Sequence, residues 1–391
     1  MKAIVNGQLV TEDNILKDKI LIIDGDRIAD MADSINPDDF ERVINAHGRY
    51  VMPGFIDIHS DRIEQFIQPR PTALMGFELG MKACERELLF QGITTMFHSL
   101  SLCRDEFFGA KAIRQKDNVR KLANLIADIH NRYHLIHHRF HLRIEIDNLE
   151  AYEIAKEMIE KRLVHEISFM DHTPGQGQYK NLEVYQKTLS GYNGSEYLKL
   201  GFEGVLAYHE QKTTLSFEQI KELADLAHQS GIAVASHDDD CVEKLEINRR
   251  LGVDISEFPI TLETARVAKA RGFHTVVGAP NILLGGSHSG NMNAAEAIEM
   301  GFADVLCSDY YPAAMLHAVF VMHENYSLPL WEMVKKVSLN PARAVRLDAD
   351  YGSLQIGKKA DILIVEVLDG YPVITHSLVD GVLSSRVEYR R

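Results

Sequence analysis

Six times through its middle the chain repeats one phrase: a glycine, a short apolar run, then a polar exit or a further glycine. The copies are Gly54-Phe55-Ile56-Asp57-Ile58-His59, Gly92-Ile93-Thr94-Thr95-Met96-Phe97-His98, Gly231-Ile232-Ala233-Val234-Ala235-Ser236-His237, Gly252-Val253-Asp254-Ile255-Ser256-Glu257, Gly272-Phe273-His274-Thr275-Val276-Val277-Gly278 and Gly301-Phe302-Ala303-Asp304-Val305-Leu306-Cys307-Ser308-Asp309. A glycine in the left-handed region ends a helix, and the strand that follows delivers its polar residues at its C-terminal end. Two further runs, Phe140 to Ile146 and Glu166 to Asp171, lack the glycine but keep the polar exit, which makes eight. Eight alternating strand–helix units predict an α/β fold, a (βα)8 TIM barrel, with the site at the C-terminal strand ends.

The ends of the chain have a different texture. Ala3 to Val5, Lys19 to Ile23 and Arg42 to Ile44 are short strands split by Asn6-Gly7, Asp24-Gly25-Asp26 and His47-Gly48, and the run Ala360 to Glu366 with its Gly-containing turns repeats the pattern. Composition restricts the partners: with 42 Lys and Arg against 56 Asp and Glu, the net charge of −14 argues against nucleic acid or an anionic membrane surface. A small anionic substrate in a locally basic pocket is compatible with it. Cys84, Cys103, Cys241 and Cys307 form no C-x-x-C pair, and no apolar run approaches the roughly 20 residues of a membrane span. A cytoplasmic homo-oligomer is the expectation.

The strand exits supply His59 and Asp61, His98, Glu145, Asp171 and His172, His237 with Asp238 to Asp240, Glu257, and Asp309. One histidine at a strand end usually hydrogen-bonds within a polar layer, but ligand chemistry arriving from several strands at one mouth points to a divalent metal site. The predicted ligands are His59, Asp61, Glu145, His172, His237 and Asp309, holding one or two ions, zinc foremost, with manganese or iron as alternatives. His98, Asp171 and Glu257 are read as hydrogen-bonding residues behind them. Asp238-Asp239-Asp240 is read as a loop and helix N-cap, and His130, His134, His137 and His138 as a solvated face. Two-residue spacing aligns His141, Arg143 and Glu145 in one inward column, Glu145 uppermost.

Two features suggest anion binding. Gly285-Gly286-Ser287-His288-Ser289-Gly290-Asn291 follows the seventh strand ahead of a helix, so Gly286, Ser287, His288, Ser289 and Asn291 are candidate phosphate contacts. Arg62, Arg70 and Arg143 near strand exits are candidate bidentate partners. The stretch from His172 to about Ser216, through Gly175, Gly177, Tyr179, Gly191, Tyr192 and Gly194, is long enough to be a lid.

Val51-Met52-Pro53-Gly54-Phe55-Ile56-Asp57-Ile58-His59, together with Asn340-Pro341-Ala342-Arg343-Ala344 and the run from Gly352 to Asp361, resembles the amidohydrolase superfamily. That resemblance implies a metal-dependent barrel over residues 53–344 and a small β-sandwich built from 1–52 and 345–391. Within the superfamily, His59-Ser60-Asp61, His138 to Glu145, Met170-Asp171-His172-Thr173-Pro174-Gly175-Gln176, Ala235-Ser236-His237-Asp238-Asp239, Glu257-Phe258-Pro259 and Ser308-Asp309-Tyr310-Tyr311-Pro312 resemble a branch of triphosphate diphosphatases serving phosphonate catabolism. The implied reaction converts α-D-ribose 1-methylphosphonate 5-triphosphate to the 5-phosphate and pyrophosphate. Asp309 would accept the water's proton, His237 would be a ligand, His172 a ligand or a donor to the transition state, and Arg143 and the Gly285–Asn291 loop would hold phosphate charge. The fourth strand exits without the superfamily's lysine and the sixth without its histidine, so neither a bridging carbamate nor a sixth-strand imidazole carries over. Hydrolysis of a cyclic amide or deamination of a nucleobase is the alternative reaction, and a catalytically idle binding subunit the alternative class.

Overall fold

A computed structural model of the chain describes residues 1–102, 111–172, 177, 182–183, 185–186, 202–207, 212–286 and 291–390. Its centre is an eight-stranded sheet in sequence order: β1 (Phe55–Ser60), β2 (Ile93–Leu102), β3 (His137–Glu145), β4 (Glu166–Met170), β5 (Ala233–His237), β6 (Ile255–Glu257), β7 (His274–Gly278) and β8 (Val305–Cys307). Every neighbouring pair in that order is parallel. The sheet shuts just past its last strand: the Asp309 N–H donates to the His59 carbonyl at 3.0 Å and the Asp309 carbonyl accepts from the Asp61 N–H at 3.0 Å. The expected (βα)8 barrel is present.

Five of the six rhythm glycines do what the sequence asks of them. Gly92, Gly231, Gly252, Gly272 and Gly301 have φ between 74 and 87° and turn the chain out of a helix into the next strand. Gly54 does not; it is there for space. A Cβ on it would lie 2.2 Å from Thr94 Oγ1 and 2.5 Å from Thr94 Cγ2 on the adjacent strand. Gly54→Ala therefore forces β1 and β2 apart and is expected to cost about 1–3 kcal/mol, read as a lowered Tm by calorimetry.

Helices cover the outside of the barrel with apolar stripes. In Lys116–Ile129 the buried residues are Val119, Leu122, Ala123, Ile126 and Ile129, the spacing of one helical face. Phe217–Gln229 opens with a capping box, Ser216 and Gln219 satisfying each other's backbone N–H groups. Inside the barrel, Ile56, Phe97, Ala233, Val276 and Val305 pack with Ala342 and Ala344 as an apolar layer. The polar residues gather at the other end, the mouth.

The terminal segments form two sheets. One runs Arg27–Ala32, Ile20–Asp24, Lys2–Val5, Arg42–Asn45; the other runs Val382–Arg386, Tyr371–Val379, Ile362–Leu368, Tyr50–Pro53, Gln8–Val10, Ile15–Leu16. Ile4, Leu21, Ile23 and Ile44 of the first pack on Leu9, Val51, Ile362 and Ile364 of the second, so residues from both ends of the chain share one core.

Two sequence expectations need correction. β3 starts at His137 rather than Phe140, so His137 and His138 lie on a barrel strand; His138 is fully buried and bonded to Glu85 at 3.2 Å, not solvated. The helix after the Asp238–Asp240 run is capped by Cys241, with no side-chain bond, and Asp239 instead accepts from Ser236, Asn248 and Ser256 at 2.6–2.7 Å. Ala279–Leu283 is helical directly after β7, and the candidate phosphate segment Gly285–Asn291 begins beyond that helix. Among the described residues, no helix is long and apolar enough to cross a membrane.

Candidate metal centre at the barrel mouth

Alternation along β3 does as expected: Phe140, Leu142 and Ile144 join the outer core, while His141, Arg143 and Glu145 face the interior. On β1 the register with β2 slips between Asp57 and Ser60. That slip falls where the strand passes from Ile58, in the apolar layer, to His59, in the polar one. At the exits of β5, β6 and β8 the backbone turns left-handed at Asp238 (φ 53°), Phe258 (φ 54°) and Asp309 (φ 57°). Such angles are uncommon for non-glycine residues and, for a bulky Phe, genuine outliers that cluster at functional sites.

Three imidazoles meet at the mouth, and each has a carboxylate on Nδ1. His59 Nδ1 is 2.8 Å from Glu257, His237 Nδ1 is 2.8 Å from Asp238, and His172 Nδ1 is 2.5 Å from Glu145. The His59 and His237 rings are 5.4 Å apart, those of His172 and His237 6.0 Å. Phe258 packs edge-on against His59 at 5.0 Å and beside His237 at 5.1 Å, fixing both rings. Carboxylates on Nδ1 leave Nε2 as the basic nitrogen, the arrangement that orients histidine ligands around a metal. Arg143 makes the tautomer explicit at one of them: its Nη2 lies 3.3 Å from His237 Nε2, and a guanidinium only donates, so Nε2 carries the lone pair.

The donor set fits a divalent cation. Asp61 Oδ1 and Glu257 Oε2 are buried without any hydrogen-bond partner, which for a carboxylate is costly unless a cation or a proton is supplied. His59, His237 and Glu257 each offer a ligand atom within 4.8 Å of the others, as do His172, His237 and Asp238.

Electrostatics divide the groups by role. Burial, reinforced by the negative charge of Asp61, lifts Asp309 to about 7. Burial also raises Asp61, with Glu64 adding to it, and lowers His59 well below its usual range, with Arg143 assisting. Burial acts to lower His172, but the Glu145 carboxylate outweighs it and raises the imidazole. Glu145 is correspondingly lowered, burial being overcome by His172.

The structure thus brings together His59, Asp61, Glu145, His172, His237, Asp309 and Arg143 at one mouth. It does not bring Arg62 there: that guanidinium is held by both oxygens of Glu87 at 2.7 and 2.9 Å, which corrects its reading as a phosphate partner. Arg70 is exposed on the segment after β1. His98 points to the outer side of the barrel, stacked on His138 and 2.8 Å from its Nδ1, so its reading as a residue behind the site is also corrected. Gly286 and Asn291 both precede the next helix, but that helix (Ala294–Glu299) is capped by the Asn293 side chain on Ala295 N and Glu296 N. Ser287, His288 and Ser289 lie outside the described residues, as do Gly175, Tyr179, Gly191, Tyr192 and Gly194 of the presumed lid.

Two pairings in the cluster are not legible in the sequence. Glu257 was placed behind the site in general terms, but nothing singled out His59 as its partner. Asp238 was read as loop, and only the left-handed turn that folds its carboxylate back onto the preceding histidine gives it a role. Glu257→Gln keeps an acceptor for His59 but removes the charge. It is expected to raise the dissociation constant for zinc about 10–100-fold, measured by calorimetric titration of chelator-stripped protein.

A family model described as the amidohydrolase family matches residues 50–385. Over 378 residues, 95% of this chain and 97% of the relative, the sequence is 32% identical to the α-D-ribose 1-methylphosphonate 5-triphosphate diphosphatase of Escherichia coli K12. An imidazolonepropionase of Picrophilus torridus is 21% identical over 398 residues, covering 93% of this chain and 91% of the relative. Among solved structures, the N-acetylglucosamine-6-phosphate deacetylase of Pasteurella multocida superposes with a TM-score of 0.61 at 12% identity, covering 97% of this chain and 98% of that one.

Proposed function

This chain belongs to the amidohydrolase family, and from that premise we propose that it is a metal-dependent hydrolase of a sugar 5-triphosphate, releasing pyrophosphate from α-D-ribose 1-methylphosphonate 5-triphosphate. The observation that carries the reading is Arg143. Its guanidinium sits among the imidazoles, 3.3 Å from His237 Nε2, and supplies positive charge for a phosphate where an acidic chain of net charge −14 would otherwise repel one. The named diphosphatase relative, similar over nearly its whole length, supports the same reading.

His59, His237 and Asp61 would hold the cation, His237 exchanging the Arg143 contact on Nε2 for the ion, with Glu257 and Asp238 fixing the two rings from behind. When bound, a divalent cation lowers the pKa of water and offsets phosphate charge. Asp309, raised to about 7, is suited to take the proton as a water oxygen bonds to the phosphorus nearest the ribose. The bond from that phosphorus to the bridging oxygen breaks, and its electron pair leaves with pyrophosphate. His172, whose protonated form Glu145 favours, would donate to that leaving oxygen. Arg143 holds the phosphate oxygens as charge builds on them.

Phosphorus NMR of the metal-reconstituted protein with ribose 1-methylphosphonate 5-triphosphate tests the reading, with ATP and a panel of cyclic amides and aminopurines in parallel. Pyrophosphate and the 5-phosphate are the expected products. An unchanged phosphorus spectrum together with turnover in the C–N panel would replace phosphorus by carbon as the atom attacked.

A further inference from the structure

We propose that His137, Asp361 and Asp380 form a second divalent-cation site, at the barrel end opposite the mouth, whose ion pins the terminal sheets to the barrel. His137 opens β3, Asp361 immediately precedes the strand Ile362–Leu368, and Asp380 follows the strand Tyr371–Val379. The three ligand atoms all lie within 4.8 Å of one another.

The atoms not facing this point are already committed. The Asp361 Oδ1 accepts the Asp380 N–H at 2.9 Å, and the Asp380 Oδ1 accepts from Lys359 at 2.9 Å. Each carboxylate therefore turns its second oxygen inward, toward His137 Nε2, at 3.2 Å for Asp361 and 3.8 Å for Asp380. Oxygen and nitrogen ligands about 2.0–2.2 Å from a tetrahedral zinc stand roughly 3.3–3.6 Å apart, close to these separations.

An ion pair alone accounts for the arrangement less well. His137 Nε2 and Asp361 Oδ2 are both buried and 3.2 Å apart, close enough for the carboxylate to raise the imidazole, yet the two are not aligned as a directed hydrogen bond. A cation satisfies a nitrogen lone pair and two carboxylate oxygens from one central point, without needing the N–H to aim at either. Lys359 also binds Asp26 at 2.6 Å, so its single charge is divided between two carboxylates, and Arg139, two residues along β3, is the other cation whose field reaches His137. Asp380 is about one-third exposed, which leaves a route for the ion and room for a water as fourth ligand. Nitrogen and oxygen donors in this ratio suit zinc or another borderline divalent ion.

The test uses zinc itself on full-length protein stripped by chelation, with the mouth disabled by His59→Asn and His237→Asn. On that background zinc is expected to bind at about one equivalent per chain and to raise the Tm; adding His137→Gln or Asp361→Asn is expected to abolish both effects. Should these variants fail to fold, anomalous diffraction at the zinc edge from wild-type crystals reads the site directly, with a peak expected between His137 and the two aspartates. No peak there while the mouth is occupied overturns the proposal. So does a Tm on the disabled background that follows pH across the histidine range and ignores zinc, the behaviour of a plain ion pair.

Discussion

Asp309→Asn lowers turnover about 10²–10⁴-fold and leaves the cation content of the purified protein at the wild-type level. Asparagine tolerates the left-handed backbone at this position and keeps the N–H and carbonyl that close the barrel, so the fold survives. What is lost is a carboxylate held near 7 by burial and by its negative neighbour Asp61. In the wild type, turnover rises with pH as that proton leaves, and a bound cation moves the rise to lower pH. Metal analysis beside steady-state kinetics distinguishes the roles: cation lost in proportion to turnover would make Asp309 a ligand and not the proton acceptor.

Removing the cation destabilises the protein far more at pH 8 than at pH 5. The folded pKa of Asp309 is about 7 and that of Asp57 about 6, both raised from 3.8, chiefly by burial. An acid whose folded pKa is raised binds its proton more tightly when folded. In the stripped protein the associated stability is complete below about 4 and disappears as pH rises through 6 to 7. At 1.36 kcal/mol per unit, Asp309 alone represents about 4 kcal/mol between these limits. At Asp309 a bound cation takes the proton's place as the compensating charge and removes that part of the loss. Chelated and zinc-reconstituted samples should differ in Tm on the order of 5–10 °C at pH 8 and by much less at pH 5. Equal differences at the two pH values would mean that Asp309 does not face the ion.

The barrel was legible because its grammar is local. A glycine after a helix and an apolar run after the glycine are written in adjacent residues, and five of the six glycines adopt the conformation that reading requires. The β3 column was legible for the same reason, since a two-residue alternation needs no knowledge of neighbouring strands. What failed depended on the third dimension. His138 looked like one of a polar cluster because its partners, Glu85 and His98, come from a helix and a strand some 40 to 53 residues earlier. Arg62 looked like a phosphate contact until Glu87, on the next helix, was seen to hold it. Asp238 and Glu257 are adjacent to predicted ligands in sequence or across a strand pair, yet which imidazole each supports follows from a positive φ in one case and from barrel closure in the other.

The closure at Asp309 ties ring integrity to reactivity in a single residue. An insertion or deletion between Ser308 and Tyr310 would slide the backbone bonds to His59 and Asp61 out of register while displacing the reactive carboxylate. Length changes at this seam are therefore eliminated twice over, once as misfolding and once as inactivity. Divergence toward new substrates is left to side-chain replacement at the other strand ends. A directed-evolution library for this scaffold gains most by varying side chains at the other strand ends and holding length fixed after β8.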